Sequence, residues 1–423
     1  MLQVAFIRNN IALVKERLAI RNFKELDLVD TIVSLDNESR RLKNKMEDAQ
    51  MQINSKSAEI PKLIKNNQKE DANKLRDEVV LLKTVLNNIK PEWELKNKLL
   101  EDSLLLLPNL PHTSVPAGKT PEENITVREG GAKPTLFSGA VPHWDLAKKY
   151  DLINFELGNK LTGSGFPVYK NKGAKLQRAL IQYFLDYNTT AGYTEYLPPF
   201  MVNAASAYGT GQLPDKEGQM YYMPADEYYM IPTAEVPVTN IYRDEIIKEN
   251  ELPIMMTAYT PCFRREAGSY GKDVRGLNRV HQFDKVEIIQ LVQPEKSYEV
   301  LEEMVLHVEK LLQSLQLPYR ILKLCGGDMG FTSALTYDFE VFSAAQQKWL
   351  EVSSVSNFES FQTNRMKIRF KNTEGKMELV HSLNGSSLAL PRIVAALLEN
   401  NQTENNIKLP QVLHTYFGEP EIS

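Results

Sequence analysis

The side chains best suited to chemistry lie in two short runs of the 423-residue chain, at positions 260–266 and 281–287. Both runs alternate with the period of two that is typical of strands, and the residues between them predict a flexible hairpin loop at 267–276. The faces defined by this alternation carry Arg264 and Glu266 in the first strand, and Phe283, Lys285 and Glu287 in the second. Such a face suits a ligand with a phosphate, a planar base and a polar tail. The sequence therefore favours a nucleotide joined to a small molecule, and the alternative is a solvated hairpin whose charges pair across its strands.

The composition is that of a globular protein with two or three domains. Hydrophobic residues make up 42% of the chain and charged residues 25%, with a formal net charge of −4. No apolar run approaches the ~18–20 residues of a membrane span, and no secretory signal is visible at the N-terminus. The two cysteines, Cys262 and Cys325, indicate a reducing compartment, and the six histidines lack ligand spacing, so no zinc is expected.

Residues 1–107 predict an N-terminal helical domain. A heptad repeat of apolar residues runs through its second half, at Leu75, Val79, Leu82, Leu86, Ile89, Trp93 and Leu100. A looser repeat precedes it, and the polar run 66–71 separates the two. The simplest interpretation is a pair of long helices folded back on each other as an antiparallel coiled coil.

Basic residues crowd the distal part of this predicted coiled coil, at Lys56, Lys62, Lys65, Lys69, Lys74 and Arg76. Clustered cations of this kind indicate binding to phosphates. A coiled coil that serves only as a dimerising element or a spacer is the alternative.

Residues 108–135 hold five prolines and little periodicity, which predicts a linker and a domain boundary. The remainder, 136–423, alternates short strand-like runs with helices in no clean βαβ order. This pattern favours an α+β domain on an antiparallel sheet.

No G-x-x-x-x-G-K-[ST] motif is present, and the glycine-rich run at 326–330 matches neither a P-loop nor a dinucleotide fingerprint. A nucleotide must therefore be bound by side chains on a sheet.

The two charged runs resemble motif 2 of class II aminoacyl-tRNA synthetases, and the residues at 262–268 and 276–283 are most similar to the seryl-tRNA synthetase family. The predicted helix at 174–190, with the strand and prolines at 193–199, resembles motif 1. Residues 384–392 resemble motif 3. The resemblance spans essentially the whole chain, because arm, linker and catalytic domain follow in that family's order. It implies a class II catalytic domain on an antiparallel sheet and an N-terminal helical arm that grips tRNA.

The resemblance also implies an activity: an ATP-dependent, AMP-forming ligase that joins L-serine to tRNA(Ser). Serine and ATP would form seryl-adenylate with release of pyrophosphate, and the seryl group would pass to the 3′-terminal ribose of the tRNA. A carboxylate is already a nucleophile at neutral pH, so this step needs alignment and neutralisation of phosphate charge rather than a general base. The family further implies Mg²⁺ as cofactor, a homodimer, a cytoplasmic location without membrane binding, and a selenocysteine tRNA as a further candidate partner.

The site residues that the resemblance implies fall into four groups. Arg264, on the α-phosphate, and Arg392, on the γ-phosphate, are catalytic. The serine-binding residues are Thr233, Ala234, Glu235, Arg264, Glu287, Asn384 and Ser386. The ATP-binding residues are Arg264, Arg265, Glu266, Val280, Phe283, Glu351, Val352, Ser353, Ser354 and Arg392. Magnesium is implied at Glu351 and Ser354, and tRNA at Lys56, Lys62, Lys65, Lys69, Lys74 and Arg76.

Several of these positions also have plainer interpretations. Arg392 could be a surface arginine at a helix start, and Thr233 a helix N-cap. Strict alternation places Glu351 beside Ser353 rather than Ser354, so the strand must bulge or end there if Glu351 and Ser354 are to act together. Otherwise Glu351 is an acid on an edge strand.

Two rival functions fit parts of the sequence. An amino-acid:carrier-protein ligase of the same fold should lack the long helical arm, which this chain has. A coiled-coil scaffold or an inactive paralogue should have lost Arg264, Glu287 or Arg392, and all three are present.

Overall fold

The computed structural model describes residues 1–267 and 275–423. Residues 268–274, which make up most of the predicted hairpin loop, lie outside the described residues. The chain divides into two compact units. A helical unit comprises Leu2–Ala19 and Phe23–Pro108, and a sheet unit comprises Met1, Ile20–Asn22 and Asn109–Ser423.

The N-terminal part of the chain is helical, with α1 (Val4–Asn9), α2 (Ile11–Ile20), α3 (Leu28–Lys65) and α4 (Lys69–Leu104). The long helices α3 and α4 pair with each other and are joined by the three residues 66–68, within the polar run where the sequence predicts the turn. At ~1.5 Å per residue, each helix is more than ~50 Å long. No helix among the described residues is long and apolar enough to cross a membrane.

The seam between α3 and α4 uses the heptad positions. In α4, Val79 and Leu100 are buried and the heptad residues between them are half-buried, whereas the neighbouring Val80 and Leu81 are exposed. Leu42 is buried on α3 in the same way. A heptad keeps its apolar positions on one stripe of the helix, which is the stripe that a partner helix covers. The predicted antiparallel coiled coil is confirmed.

The basic residues predicted to bind tRNA lie around the turn of the coiled coil. Lys56 is half-buried and its ammonium lies 2.5 Å from the carboxylate of Glu78, which joins α3 to α4. The other five side chains are exposed: Lys62, Lys65, Lys69, Lys74 and Arg76.

The sheet unit contains shorter helices and many strands. Its helices are α5 (His143–Lys149), α6 (Phe155–Leu161), α7 (Asn171–Thr190), α8 (Ala204–Thr210), α9 (Glu235–Thr239), α10 (Ser297–Ser314), α11 (Phe361–Met366), α12 (Leu390–Asn400) and α13 (His414–Phe417). Its strands are β1 (Ile125–Gly130), β2 (Ile153–Asn154), β3 (Val168–Tyr169), β4 (Thr194–Glu195), β5 (Met201–Asn203), β6 (Tyr222–Met223), β7 (Tyr228–Met230), β8 (Ile246–Lys248), β9 (Ile254–Phe263), β10 (Gln282–Val292), β11 (Tyr319–Lys323), β12 (Leu335–Ser343), β13 (Lys348–Asn357), β14 (Arg369–Lys371), β15 (Met377–Leu379), β16 (His381–Ala389), β17 (Ile407–Lys408) and β18 (Glu421–Ile422).

The main sheet of this unit has the strand order β1-β11-β12-β13-β16-β10-β9-β4 within the described residues. Neighbouring strands are antiparallel except at one edge, where β4 runs parallel to β9. The predicted α+β fold on an antiparallel sheet is confirmed, and the helix predicted at 174–190 is α7, which leads into the parallel edge strand β4.

Strand β10 shows how one face of the sheet becomes apolar while the other carries charge. Val286 and Ile288 belong to the main core, to which α10 and α12 also contribute. Lys285 and Glu287 alternate with them and are buried on the opposite face. Because successive side chains of a strand point to opposite faces, packing of the apolar set directs the charged set to the other side.

The segment predicted to be a linker, 108–135, contains strand β1, which pairs antiparallel with β11 at the edge of the main sheet. The linker prediction is therefore wrong for residues Ile125–Gly130. The prolines lie outside this strand, with Pro121 before it and Pro134 after it, so its backbone N–H groups can take part in the ladder.

The seam offers a matched pair of leucines for a stability test. Leu42 is 2% exposed in the seam and Leu81 is 66% exposed on α4. We expect Leu42→Ala to lower the free energy of unfolding of the long helices by about 2–4 kcal/mol, because it leaves a cavity. Leu81→Ala should change it by less than about 0.5 kcal/mol. Urea unfolding followed by far-ultraviolet circular dichroism measures both, and equal losses would contradict this assignment of the seam.

Candidate active site

The face of the sheet that carries charge forms the floor of a cavity of about 560 Å³. Strands β10, β13 and β16 supply much of its lining, together with the segment after β9 and the segment 275–280 before β10. The predicted site residues that line it are Thr233, Glu235, Arg264, Glu266, Val280, Phe283, Glu287, Glu351, Val352, Ser353, Ser354, Asn384, Ser386 and Arg392. One cavity thus brings together side chains that are up to 159 positions apart in the sequence, from Thr233 to Arg392.

Two of the residues predicted to bind serine or ATP do not line the cavity. Ala234 is fully buried in a second apolar cluster, together with residues such as Ile289 and Leu291 of β10. Arg265 follows β9, and its backbone N–H donates to the carbonyl of Gln219 at 2.9 Å. Their implied roles remain predictions without a place in this cavity.

The first charged run is shorter as a strand than the sequence predicts, because β9 ends at Phe263. The N–H of Arg265 leaves the ladder for Gln219, and Glu266 has a left-handed backbone with φ of 48°. Alternation therefore does not set the direction of Glu266. The carboxylate of Glu266 lies on the cavity all the same and accepts a hydrogen bond from Arg279 at 2.9 Å.

One end of the cavity is acidic and enclosed. The ammonium of Lys285 lies 2.6 Å from the carboxylate of Glu287, and the hydroxyl of Thr233 donates to the same carboxylate at 3.3 Å. The same hydroxyl accepts the backbone N–H of Glu235 at 3.2 Å. Thr233 therefore satisfies the backbone N–H of the first residue of α9 while it faces the cavity, although the N-cap position itself is occupied by Ala234.

The carboxyl group of Glu235 is held in this acidic end by Gln362, whose amide donates to it at 2.5 Å. Burial and the nearby charge of Glu287 raise the pKa of Glu235 to about 7. On β16, Ser386 lies opposite Glu287, and Asn384 also lines the cavity. Carboxylates and a hydroxyl in a small enclosed space can bind the ammonium and the hydroxyl of a small amino acid.

The other end of the cavity holds arginines and an aromatic ring. The guanidinium of Arg264 lies 5.3 Å from the ring centroid of Phe283, and its Nε donates to the carbonyl of Pro232 at 3.4 Å. Arg392, at the start of α12, donates to the carbonyls of Glu351 at 2.7 Å and Asn278 at 3.2 Å. This end can bind a planar base beside a set of phosphates.

Strand β13 bulges at the position where the sequence requires it to. Ser353 lies opposite Phe339 and Glu351 opposite Glu340, so Val352 is inserted as an extra residue of β13. Residues 351–354 consequently all line the cavity. The condition for Glu351 and Ser354 to share a site is met by this bulge.

A further acid lies beneath the bulge. The hydroxyl of Ser354 donates to the carboxylate of Asp338 on β12. Burial, and next the charge of Glu351, raise the pKa of Asp338 well above its usual value. Sequence reasoning missed Asp338, although its place between the core residues Tyr337 and Phe339 in an alternating strand was a signal for a polar residue on the face away from the core.

Magnesium fits this part of the cavity. No group of three or more His, Cys, Asp or Glu side chains arranged to hold a metal ion occurs in the described ranges. Glu351 and Ser354 nevertheless offer two oxygen donors, and Mg²⁺ is commonly held by one or two carboxylates together with substrate phosphates. The charge of Glu351 that raises the pKa of Asp338 is repulsion that a divalent cation would relieve.

Sequence reasoning also missed Asn278 and Arg279 as lining residues, although both belong to the run at 276–283 that resembles motif 2. Lys285 was placed on the correct face by alternation but not included among the site residues. Gln219 and Ser356 gave no signal in the sequence.

Comparison with known families agrees with the two-part organisation of the chain. Residues 222–401 match the tRNA synthetase class II core domain (G, H, P, S and T). Residues 1–111 match the seryl-tRNA synthetase N-terminal domain.

Individual relatives are similar over their whole length. A serine--tRNA ligase of Salinibacter ruber is 49% identical over 99% of this chain and 98% of its own. Among solved structures, a seryl-tRNA synthetase from Pyrococcus horikoshii complexed with ATP has a TM-score of 0.92 and 33% identity, covering 100% of this chain and 99% of that one. A cytoplasmic serine-tRNA ligase from Naegleria fowleri in complex with AMP has a TM-score of 0.88 and 25% identity, covering 100% of this chain and 99% of that one.

The raised pKa of Glu235 predicts a pH-dependent stability. Between about pH 4.5 and pH 7 the unfolded carboxyl ionises while the folded one keeps its proton, so the free energy of unfolding falls with rising pH, by about 3 kcal/mol. Glu235→Gln removes this loss. The variant should therefore gain stability relative to the original chain as the pH rises from about 5 to 8, as measured by denaturant unfolding.

The control for this measurement is Glu374→Gln, because Glu374 is exposed. Its stability should follow that of the original chain at every pH. A constant difference between the Glu235→Gln variant and the original chain would contradict the raised pKa.

Proposed function

The chain belongs to the seryl-tRNA synthetase family, and we propose that it joins L-serine to the 3′ end of tRNA(Ser) in two steps. The observation that carries the proposal is the single cavity with an acidic, enclosed end and an arginine-lined end. With serine bound at the acidic end and ATP at the arginine-lined end, the serine carboxylate and the α-phosphate of ATP would lie next to each other between the two ends. Their reaction forms seryl-adenylate.

The acidic end supports serine as the amino acid. Glu287 and Thr233 provide hydrogen-bonding partners for an ammonium and a hydroxyl, with Ser386 opposite Glu287. A buried polar site of this kind rejects an analogue that lacks the hydroxyl, because the polar groups of the site would then stay unpaired.

The arginine-lined end supports attack by the serine carboxylate on the α-phosphorus of ATP. Arg264 would hold the α-phosphate, Arg392 the γ-phosphate, and Phe283 would stack on the base, while Glu266 would accept from the adenine amino group. The carboxylate forms the new O–P bond and pyrophosphate leaves, so no proton has to be removed. The protein contributes alignment and fixed positive charge.

Magnesium, held by Glu351 and Ser354 together with the phosphates of ATP, would neutralise charge on the departing pyrophosphate. The Ser354 hydroxyl is oriented by Asp338, and the Glu351 carbonyl by Arg392. These contacts keep the β13 bulge in place independently of the ion.

In the second step, a hydroxyl of the tRNA's terminal ribose attacks the seryl carbonyl, and AMP leaves. The five exposed cations around the turn of the coiled coil support tRNA binding by the helical unit, because they form a positive cluster for phosphates. On this proposal, residues 1–107 form the tRNA-binding domain and 136–423 the catalytic domain.

The assembly and the location of the protein follow from the same family. We propose a homodimer, supported by the resemblance of α7 and β4 to motif 1, which builds the dimer interface in class II synthetases. We also propose a cytoplasmic location. Cys262 and Cys325 are free thiols, as is common in a reducing compartment.

Serine-dependent ATP–pyrophosphate exchange tests the proposed function. The purified protein should exchange pyrophosphate with serine and fail to do so with each of the other amino acids. Exchange with another amino acid in place of serine would refute the substrate, and no exchange with any amino acid would refute the activity.

Glu287→Ala should lose the preference for serine over alanine. A hydrogen-bonded hydroxyl site can discriminate by up to ~10⁴-fold, and most of that factor should disappear. The measurement is the ratio of kcat/KM for serine and alanine in one preparation, so a partly unfolded fraction cancels. A variant that still excludes alanine would show that Glu287 has a structural role and that another group recognises serine.

Removing charge around the turn of the coiled coil should weaken tRNA charging without changing amino-acid activation. The variant replaces Lys62, Lys65, Lys69 and Lys74 by Gln, and each lost phosphate contact should reduce the salt slope of tRNA binding by roughly 0.7–0.9. Pyrophosphate exchange should stay at the original rate, since the cavity is lined by the sheet unit alone.

The matched control replaces four exposed lysines far from the turn: Lys43, Lys45, Lys90 and Lys98. It removes the same charge from the same two helices. Equal loss of tRNA binding in both variants would mean that overall charge, rather than the cluster at the turn, attracts the tRNA.

A further inference from the structure

A buried cluster of polar side chains lies behind the cavity and has no part in the function described above. At its centre is His143, the first residue of α5, whose side chain is fully buried against that of Glu399 near the end of α12. Nδ1 of His143 lies 2.6 Å from the carboxylate of Glu399, which also accepts the backbone N–H of His143 at 2.9 Å and a hydrogen bond from Ser343. Burial alone would raise the pKa of Glu399, but the hydrogen bonds that its carboxylate accepts from His143 and Ser343 hold that pKa below its usual value.

The other ring nitrogen of His143 faces the segment 275–280, which leads from the described end of the motif 2 region into β10. Nε2 of His143 accepts the backbone N–H of Leu277 at 2.8 Å. The imidazole also lies against Gly276, where an added Cβ would come within 2.1 Å of Nε2. Since Nε2 accepts an N–H, the proton of the neutral ring is on Nδ1, where it is donated to Glu399.

Four residues of this segment line the cavity: Leu277, Asn278, Arg279 and Val280. The backbone carbonyl of Asn278 accepts a hydrogen bond from Nε of Arg392 at 3.2 Å. The side-chain amide of Asn278 donates to Gln346 at 3.0 Å, and the amide of Gln346 donates to the carboxylate of Glu399 at 2.8 Å. The next residue, Arg279, pairs with Glu266. The cluster therefore ties the backbone of the segment to helix α12, which carries Arg392 at its opposite end.

We propose that His143 is a positioning residue for ATP: through Leu277 it fixes the segment 275–280, and thereby Arg279 and the carbonyl that orients Arg392. His143 itself does not line the cavity and touches no reacting atom. The proposal rests on the proposed function only in naming ATP as the ligand of the arginine-lined end. Serine binding should be independent of it, because Thr233, Glu235 and Glu287 make no contact with the cluster among the contacts described.

Two substitutions separate the two hydrogen bonds of the ring. His143→Asn places an amide donor near Nδ1 and removes the acceptor of the Leu277 N–H, whereas His143→Gln reaches the position of Nε2 with an amide oxygen. We expect the Kd of ATP, measured by calorimetry without amino acid, to rise roughly fivefold or more in His143→Asn, because a buried N–H then lacks its acceptor. His143→Gln should stay within about threefold of the original chain, and the KM of serine within about twofold in both variants.

His414→Asn is the control, because His414 lies near the C-terminus and its Nε2 contacts only the carbonyl of Leu409 among the bonds described. It should leave the Kd of ATP unchanged. An unchanged Kd in His143→Asn, or equal losses for ATP and serine in both His143 variants, would overturn the proposal and leave His143 as a residue of general stability.

The tautomer of His143 provides a test that is measured on the original chain, with the variants used only for assignment. In nitrogen-15 spectra of the histidine-labelled original chain, the ring signals that are absent from the spectra of both His143→Gln and His143→Asn should show a proton on Nδ1 and an unprotonated Nε2. A proton on Nε2 would overturn the proposal directly. Neither this readout nor ATP binding depends on serine, so failure of serine-dependent exchange would refute the proposed function and leave these two results standing.

Discussion

The ion pair between Lys285 and Glu287 is the interaction on which the cavity depends. Both side chains are buried, and moving two charges out of water is costly unless each is paired and hydrogen-bonded. Glu287 receives the ammonium at 2.6 Å and the hydroxyl of Thr233 at 3.3 Å, so β10 and the segment that leads into α9 must keep their relative places. Loss of either partner would leave the other charge uncompensated. The polar floor therefore constrains β10 in addition to the apolar core on its other face.

Those parts of the molecule that follow from local periodicity could be predicted from the sequence. The heptad of α4 identifies the seam because a helix repeats its contacts every three to four residues, whatever lies elsewhere in the chain. Alternation identifies the cavity face of β10 in a similar way, because successive side chains of a strand in a sheet must point to one face or the other. Alternation alone therefore places Phe283 and Glu287 on the face that forms the cavity.

What the sequence could not supply depends on contacts between distant residues. Alternation fails at Glu266, where a left-handed residue follows the end of β9, and at Val352, where the register of β12 and β13 shifts. The sequence analysis requires the strand to bulge or end if Glu351 and Ser354 are to act together, but no local signal predicts the bulge at Val352. His143 and Glu399 are 256 positions apart, and neither has a neighbour in the chain that indicates the pairing.

The way in which the arginines are held explains how the cavity stays attractive to a polyanion. Arg392 is oriented by the carbonyls of Asn278 and Glu351, and Arg264 by the carbonyl of Pro232. A carbonyl fixes the direction of a guanidinium without neutralising its charge, whereas Arg279 and Lys285 already lie against carboxylates. The nearest carboxylate to Arg392 is that of Glu351, at 3.7 Å, on a side chain that is half exposed. Positive charge is thus aligned in advance and remains available to phosphates, which is the condition for stabilising charge that develops during transfer of a nucleotidyl group.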